Sequence, residues 1–150
     1  MIESGAPQRT GSFLATAAVF LVGLPLVATV IGAVLWHFGI GRGTGTIGPH
    51  DTLSAFAWYA LISVFIGWPA MIAMAIGMPI LSPRLSGRVA WLAAGAIGSA
   101  VLTGLSGLII GGGGDLTEFL SFAWVVLLVG AVAGLLCALV SDRFRPRRIP

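Results

Sequence analysis

Four long stretches of this chain carry no charged side chain, and each is long enough to cross a lipid bilayer as a helix. They run from about Phe13 to Phe38, Leu53 to Leu81, Val89 to Ile110 and Phe119 to Val140. A hydrocarbon core about 30 Å thick is crossed by roughly 20 helical residues. Lipid offers no hydrogen bonds, so every backbone N–H and C=O in the span has to be satisfied within it, which a helix does. The sequence therefore predicts an all-α polytopic membrane protein, a single domain over residues 1–150 built as a bundle of four transmembrane helices. The first stretch follows Arg9 and could pass for a signal peptide. It is longer than the roughly 7–15 apolar residues such a segment uses, so it is expected to stay as the first span.

Composition supports the same solvent. The chain is 57% hydrophobic and 9% charged, against roughly 45–50% and 25% in soluble domains. Eight basic and five acidic residues among 150 cannot coat a water-facing surface. The basic residues are all arginine, which suits a GC-rich bacterial genome and an inner-membrane location. A net charge of +3 can signal a nucleic-acid partner. Here the arginines flank apolar spans instead, so no nucleic-acid binding is expected, and the lipid bilayer with its anionic headgroups is the expected environment.

Orientation follows from those arginines. With the N-terminus in the cytoplasm, the inner side holds Arg9, Arg84, Arg88, Arg143, Arg145, Arg147 and Arg148, and the outer side only Arg42. The positive-inside rule then places both termini in the cytoplasm. Trp36, Trp58, Tyr59 and Trp124 fall near the outer boundary and Trp91 near the inner one, where amphipathic rings settle. Helix starts are expected at Thr10 or Ser12, at Asp51 or Thr52, at Ser86, and at Asp115, which with Glu118 resembles a capping box. Ser82-Pro83 should end the second span, and Gly111 to Gly114 should loosen the link after the third.

Helices in lipid associate by close backbone approach rather than by burying apolar area. Gly95, Ser99, Thr103, Gly107 and Gly111 repeat every four residues along one face of the third span, widened by Ala96, Ala100 and Gly104. Gly130-x-x-x-Gly134, continued by Ala138, answers it in the fourth. These spans are expected to pack tightly on each other, and a membrane-protein partner or self-association through such a stripe is a further expectation.

Chemistry is sparse. Gly23-Leu24-Pro25 and Gly67-Trp68-Pro69 interrupt the first two spans near mid-membrane, where paired breaks can frame a binding site. Gly23, Pro25, Gly67, Trp68 and Pro69 are thus a candidate pocket for an apolar ligand, a lipid tail or a quinone ring, set against the plainer expectation of structural kinks with Trp68 filling a gap or facing lipid. Gly77-Met78-Pro79 should loosen the exit of the second span. Gly43-x-Gly45-x-x-Gly48 matches a dinucleotide fingerprint only in letters, since no strand precedes it and Pro49 follows it. His37, His50 and Asp51 lie toward the outer side, where haem, metal or lipid chemistry would need further ligands. The lone cysteine, Cys137, has no partner for an internal disulfide. No Asp, Glu, Lys, Arg or His occupies the centre of any span. That argues against proton-coupled carriers, voltage sensors and ion pumps, which use an intramembrane group that changes charge. The expectation is a protein without catalytic residues, cofactor or metal, an accessory, scaffold or homo-oligomeric component, with a small transporter or ligand-binding protein as the alternative.

Overall fold

A computed structural model gives the fold, describing residues 6–38, 49–85, 87–111 and 116–145. Helix α1 (Ala6–Ala18) passes through a π-helical turn (Val19–Gly23) into α2 (Leu24–His37), and together they make the first span. Helices α3 (Pro49–Leu81), α4 (Arg88–Gly111) and α5 (Leu116–Ser141) make the other three, and a 3-10 turn (Asp142–Phe144) follows α5. No strand occurs among the described residues. Four segments are long and apolar enough to cross a membrane: Gly11–Leu35, Tyr59–Leu81, Arg88–Ile110 and Ala123–Phe144. The protein is an all-α, four-span membrane bundle.

The helix starts differ from the expected ones. Helix α1 is already under way at Ala6, so Thr10 and Ser12 lie inside it rather than at its start. Helix α3 begins at Pro49 rather than near Leu53. Proline suits a first helical position, because its fixed φ is helical and its missing N–H would have no partner there. Several expected features lie outside the described residues: Arg42 and the glycines of the Gly39–His50 loop up to residue 48, Ser86 as a cap, the Gly112–Gly114 link, Asp115, Arg147 and Arg148. The side chains of Arg9, Trp36, His37, His50, Asp51, Thr52, Trp58 and Glu118 also lie outside the description, although their backbones are helical.

The helices pack in sequence, the first span against α3, α3 against α4, α4 most extensively against α5, and α5 back against α2. The interior draws on all four spans: Phe20 and Leu24 from the first, Met71, Met74, Ala75 and Met78 from α3, Trp91 from α4, and Ala133, Cys137 and Ala138 from α5. The outer faces are just as apolar. On α3, Phe65, Trp68, Ile72 and Ile76 point outward at three- and four-residue spacing, while Ala70, Met71, Met74 and Met78 point inward. Apolar residues on both sides are what a helix bundle in hydrocarbon requires.

The proline breaks are not alike. Pro25 has no N–H to donate, and its ring would crowd the carbonyl of Leu21 one turn back. The wide π turn at Val19–Gly23 directly precedes it and makes room. Thr29 Oγ1 then donates to the Pro25 carbonyl at 2.7 Å, adding a bond where the ladder is weakened. Pro69 and Pro79, by contrast, sit inside α3 without ending it.

Candidate functional site

Two constellations stand out, a close-packed seam along α4 and α5 and a polar latch at one end of it. The seam is built from the missing side chains of three glycines. A Cβ on Gly95 would lie 2.5 Å from the Ala138 Cβ and 2.9 Å from the Gly134 carbonyl oxygen. A Cβ on Gly130 would meet the Ala100 Cα, the Ser99 carbonyl oxygen and the Thr103 Cβ, each at 3.1 Å. On Gly134 it would overlap the Gly95 carbonyl oxygen and the Ser99 Cβ. The two backbones therefore touch, and the dispersion contacts made at that distance replace the hydrophobic drive that lipid does not supply. Gly107 is buried further along α4.

Ser99 and Thr103 contribute to the seam in an unexpected way. Their hydroxyl oxygens, Oγ and Oγ1, are buried and have no hydrogen-bond partner. Elsewhere in the bundle Ser106 Oγ donates to the Leu102 carbonyl at 2.8 Å, the usual solution for a hydroxyl on a helix. At Ser99 and Thr103 small size is what the seam uses, and the hydroxyl is a liability. Ser99→Ala is accordingly expected to leave stability unchanged or raise it by up to about 1 kcal/mol, in contrast to the usual loss on deleting a buried polar group. Reversible unfolding in mixed micelles measures this, and a loss of more than that amount would show that Ser99 has an acceptor.

The latch gathers at the end where α3 stops, α4 starts and α5 ends. Ser82 N donates to the Met78 carbonyl at 3.0 Å, and Pro83 closes α3 as expected. Gly87, just before α4, has φ of +99°, a left-handed conformation that glycine adopts without penalty. That conformation lets the Gly87 carbonyl accept from Trp91 N at 3.3 Å and from Arg145 Nη1 at 3.4 Å. Arg145 Nη2 donates to the Leu85 carbonyl at 2.6 Å. The guanidinium also lies over the Trp91 ring, 4.6 Å from its centroid. Trp91 itself is completely buried and donates through Nε1 to the Ala138 carbonyl at 3.0 Å, with Ser141 Oγ at 3.3 Å. Asp142 completes the group, its Oδ1 3.4 Å from Arg145 Nη1 and its Oδ2 3.4 Å from Arg88 Nε.

Two expected roles change here. Trp91 lies near the end of its span as expected, but its ring is buried in the bundle rather than turned outward, and it binds α5 through a backbone carbonyl. Arg145 is not simply a headgroup arginine. With its side chain only 16% exposed, it spends its donors on the α3–α4 turn and on Asp142. Arg88 is 68% exposed despite its ion pair, and Arg84 and Arg143 are also exposed at this end of the bundle. Asp142 was the residue that sequence reasoning passed over. Its place three residues before Arg145, as a lone carboxylate amid an arginine tail, was the available signal.

The midspan residues do not converge on one pocket lined by Trp68. Gly23 faces α5, where its added Cβ would lie 3.2 Å from Cys137 Sγ. Gly67 is buried next to Met71 on its own helix. Pro25 and Pro69 are half-buried. The Trp68 side chain is turned to the outside of the bundle and is 51% exposed. No group of three His, Cys, Asp or Glu that could hold a metal ion occurs among the described residues. Comparison with known proteins adds no assignment, since no protein family, curated protein or solved structure matches this chain.

Proposed function

We propose that this is a small multi-pass protein of a bacterial inner membrane, with both ends in the cytoplasm, that acts without catalysis as an accessory or scaffold component or as a homo-oligomer. The observation that carries this is where its polar groups lie. Among the described residues the charged side chains with assigned partners gather at one end of the bundle, where they fasten the α3–α4 turn to α5, while the Thr29 and Ser106 hydroxyls bond only to carbonyls of their own helices. The centres of the spans hold apolar and small residues. A bundle whose polar chemistry holds it together and whose outer faces are apolar is suited to packing against other membrane-embedded chains. Arg84, Arg88 and Arg143 at the latched end support its cytoplasmic placement, each worth about 1 kcal/mol against an anionic leaflet.

Two experiments test the two halves of the proposal. A membrane-impermeant maleimide added outside intact cells is expected to label Thr46→Cys and Thr117→Cys; labelling only after the membrane is opened overturns the orientation. Purification in mild detergent, followed by dilution and crosslinking, is expected to show self-association or a stoichiometric membrane partner. A strict monomer that binds nothing in membranes removes the scaffold role.

A further inference from the structure

Trp68 stands near the middle of its span, Tyr59–Leu81, on the outer face of α3. Residue 70 is the midpoint, so the Trp68 Cα lies only about 3 Å from mid-membrane, with on the order of 12 Å of hydrocarbon on the nearer side. Tryptophan is normally found at the interface, where its N–H reaches water or headgroups. At this depth neither is in reach. No acceptor among the described residues lies against the Trp68 indole N–H, and lipid tails have none to offer. One turn back on the same face is the complementary defect. Pro69 has no N–H, so the carbonyl of Phe65 lacks its α-helical donor, and the Phe65 side chain is 66% exposed on the outside.

We infer that the outer face of α3 is a self-association surface, on which Trp68 of one copy donates its indole N–H to the Phe65 carbonyl of a second copy. An unmatched donor and an unmatched acceptor one turn apart on one face are self-complementary under two-fold symmetry. Each copy supplies what the other lacks, and one operation satisfies both pairs. Two copies inserted with the same orientation are related by an axis along the membrane normal, which sets both Trp68 residues at one depth. The three-residue offset to Phe65, about 4.5 Å along the helix, is within the span of an indole side chain. A lipid or a different chain would have to provide both a carbonyl and an N–H at mid-membrane. This rests on the homo-oligomer reading above and adds the face and the contact.

The experiment uses the whole chain in lipid vesicles at several protein-to-lipid ratios, with dimerisation followed by energy transfer between labelled copies. Trp68→Phe keeps an aromatic ring, smaller than the indole, and deletes the N–H. Two symmetric interhelical bonds are lost, so the dimer is expected to weaken about tenfold or more, while unfolding of the monomer shifts far less, because Trp68 is 51% exposed and makes no hydrogen bond within its own bundle. Crosslinking maps the face: Ile72→Cys, one turn on from Trp68, is expected to form a disulfide-linked dimer, and Ile97→Cys on the outer face of α4 is not. The native Cys137 is buried and can stay in place. Dimerisation unaffected by Trp68→Phe, or crosslinking at Ile97→Cys instead of Ile72→Cys, overturns this interface and leaves self-association standing. A wild-type chain that remains monomeric at every ratio removes self-association altogether.

Discussion

Gly134→Leu is expected to prise α4 away from α5 and to cost the bundle more than about 3 kcal/mol, since forcing extra carbons into a filled interior already costs roughly 1–3 kcal/mol where neighbours can yield. At Gly134 they cannot. The space a Cβ would enter is held by the Gly95 carbonyl oxygen and the Ser99 Cβ, one of them backbone and the other fixed to it. Even Gly134→Ala has to move a helix rather than a rotamer. The same reasoning ranks a series of Gly→Ala variants by what each methyl meets. Gly95 follows Gly134, because its Cβ would face a backbone oxygen at 2.9 Å and the Ala138 methyl at 2.5 Å. Gly32 comes next; its Cβ would lie 2.5 Å from the Tyr59 ring, a side chain that can tilt. Gly23 comes after, its Cβ 3.2 Å from the Cys137 sulfur and in ordinary contact with Val19, and Gly77, with nothing within 4 Å, is expected to be silent. Unfolding of each variant in mixed detergent micelles gives the order. If Gly77→Ala proves as damaging as Gly134→Ala, the losses reflect helix flexibility or insertion and not the α4–α5 seam.

How much of this was legible in the sequence depends on what kind of signal each feature leaves. Span number and approximate limits were, because a stretch without charge is a one-dimensional property that the bilayer thickness interprets directly. The small-residue stripes were legible as well, since a residue repeated every four positions must lie along one face. Which face of α3 points inward was not. In a soluble helix the polar side marks the outside, but here Met71, Met74 and Met78 within and Ile72, Ile76 and Ile80 without are equally apolar. The outward turn of Trp68, which separates it from any interior pocket, was hidden for the same reason. The π turn before Pro25 was half-visible, as proline predicts a disturbance without saying what form it takes. Pro69 carries the same local sequence, Gly-x-Pro, and leaves α3 helical.

The latch was the least legible element and is expected to be the second most costly to break. Arg145 finds its acceptors at Leu85 and Gly87, 60 and 58 residues earlier, and both are backbone carbonyls, only the second of them aimed by a conformation that favours glycine. Nothing in their side chains announces the contact. Arg145→Ala removes charged hydrogen bonds, a class worth about 1.5–3 kcal/mol each when made, and a cation–π contact worth roughly 0.5–2 kcal/mol. These share one guanidinium that is still partly exposed, so the expected loss is about 2–3 kcal/mol rather than the sum. Arg145→Lys separates charge from shape. A single ammonium cannot reach Leu85, Gly87 and Asp142 with the fixed fork of a guanidinium, so lysine is expected to recover less than half of the loss. Arg88→Ala, by contrast, breaks one ion pair at a well-exposed side chain and should cost no more than about 0.5 kcal/mol. A double-mutant cycle with Trp91→Leu tests the stacking directly, and a coupling of at least about 0.5 kcal/mol is expected between the two positions. Should Arg145→Ala be as mild as Arg88→Ala, the arginine serves the membrane surface like its neighbours, and the end of the bundle is held by Trp91 and the Ala138 carbonyl alone.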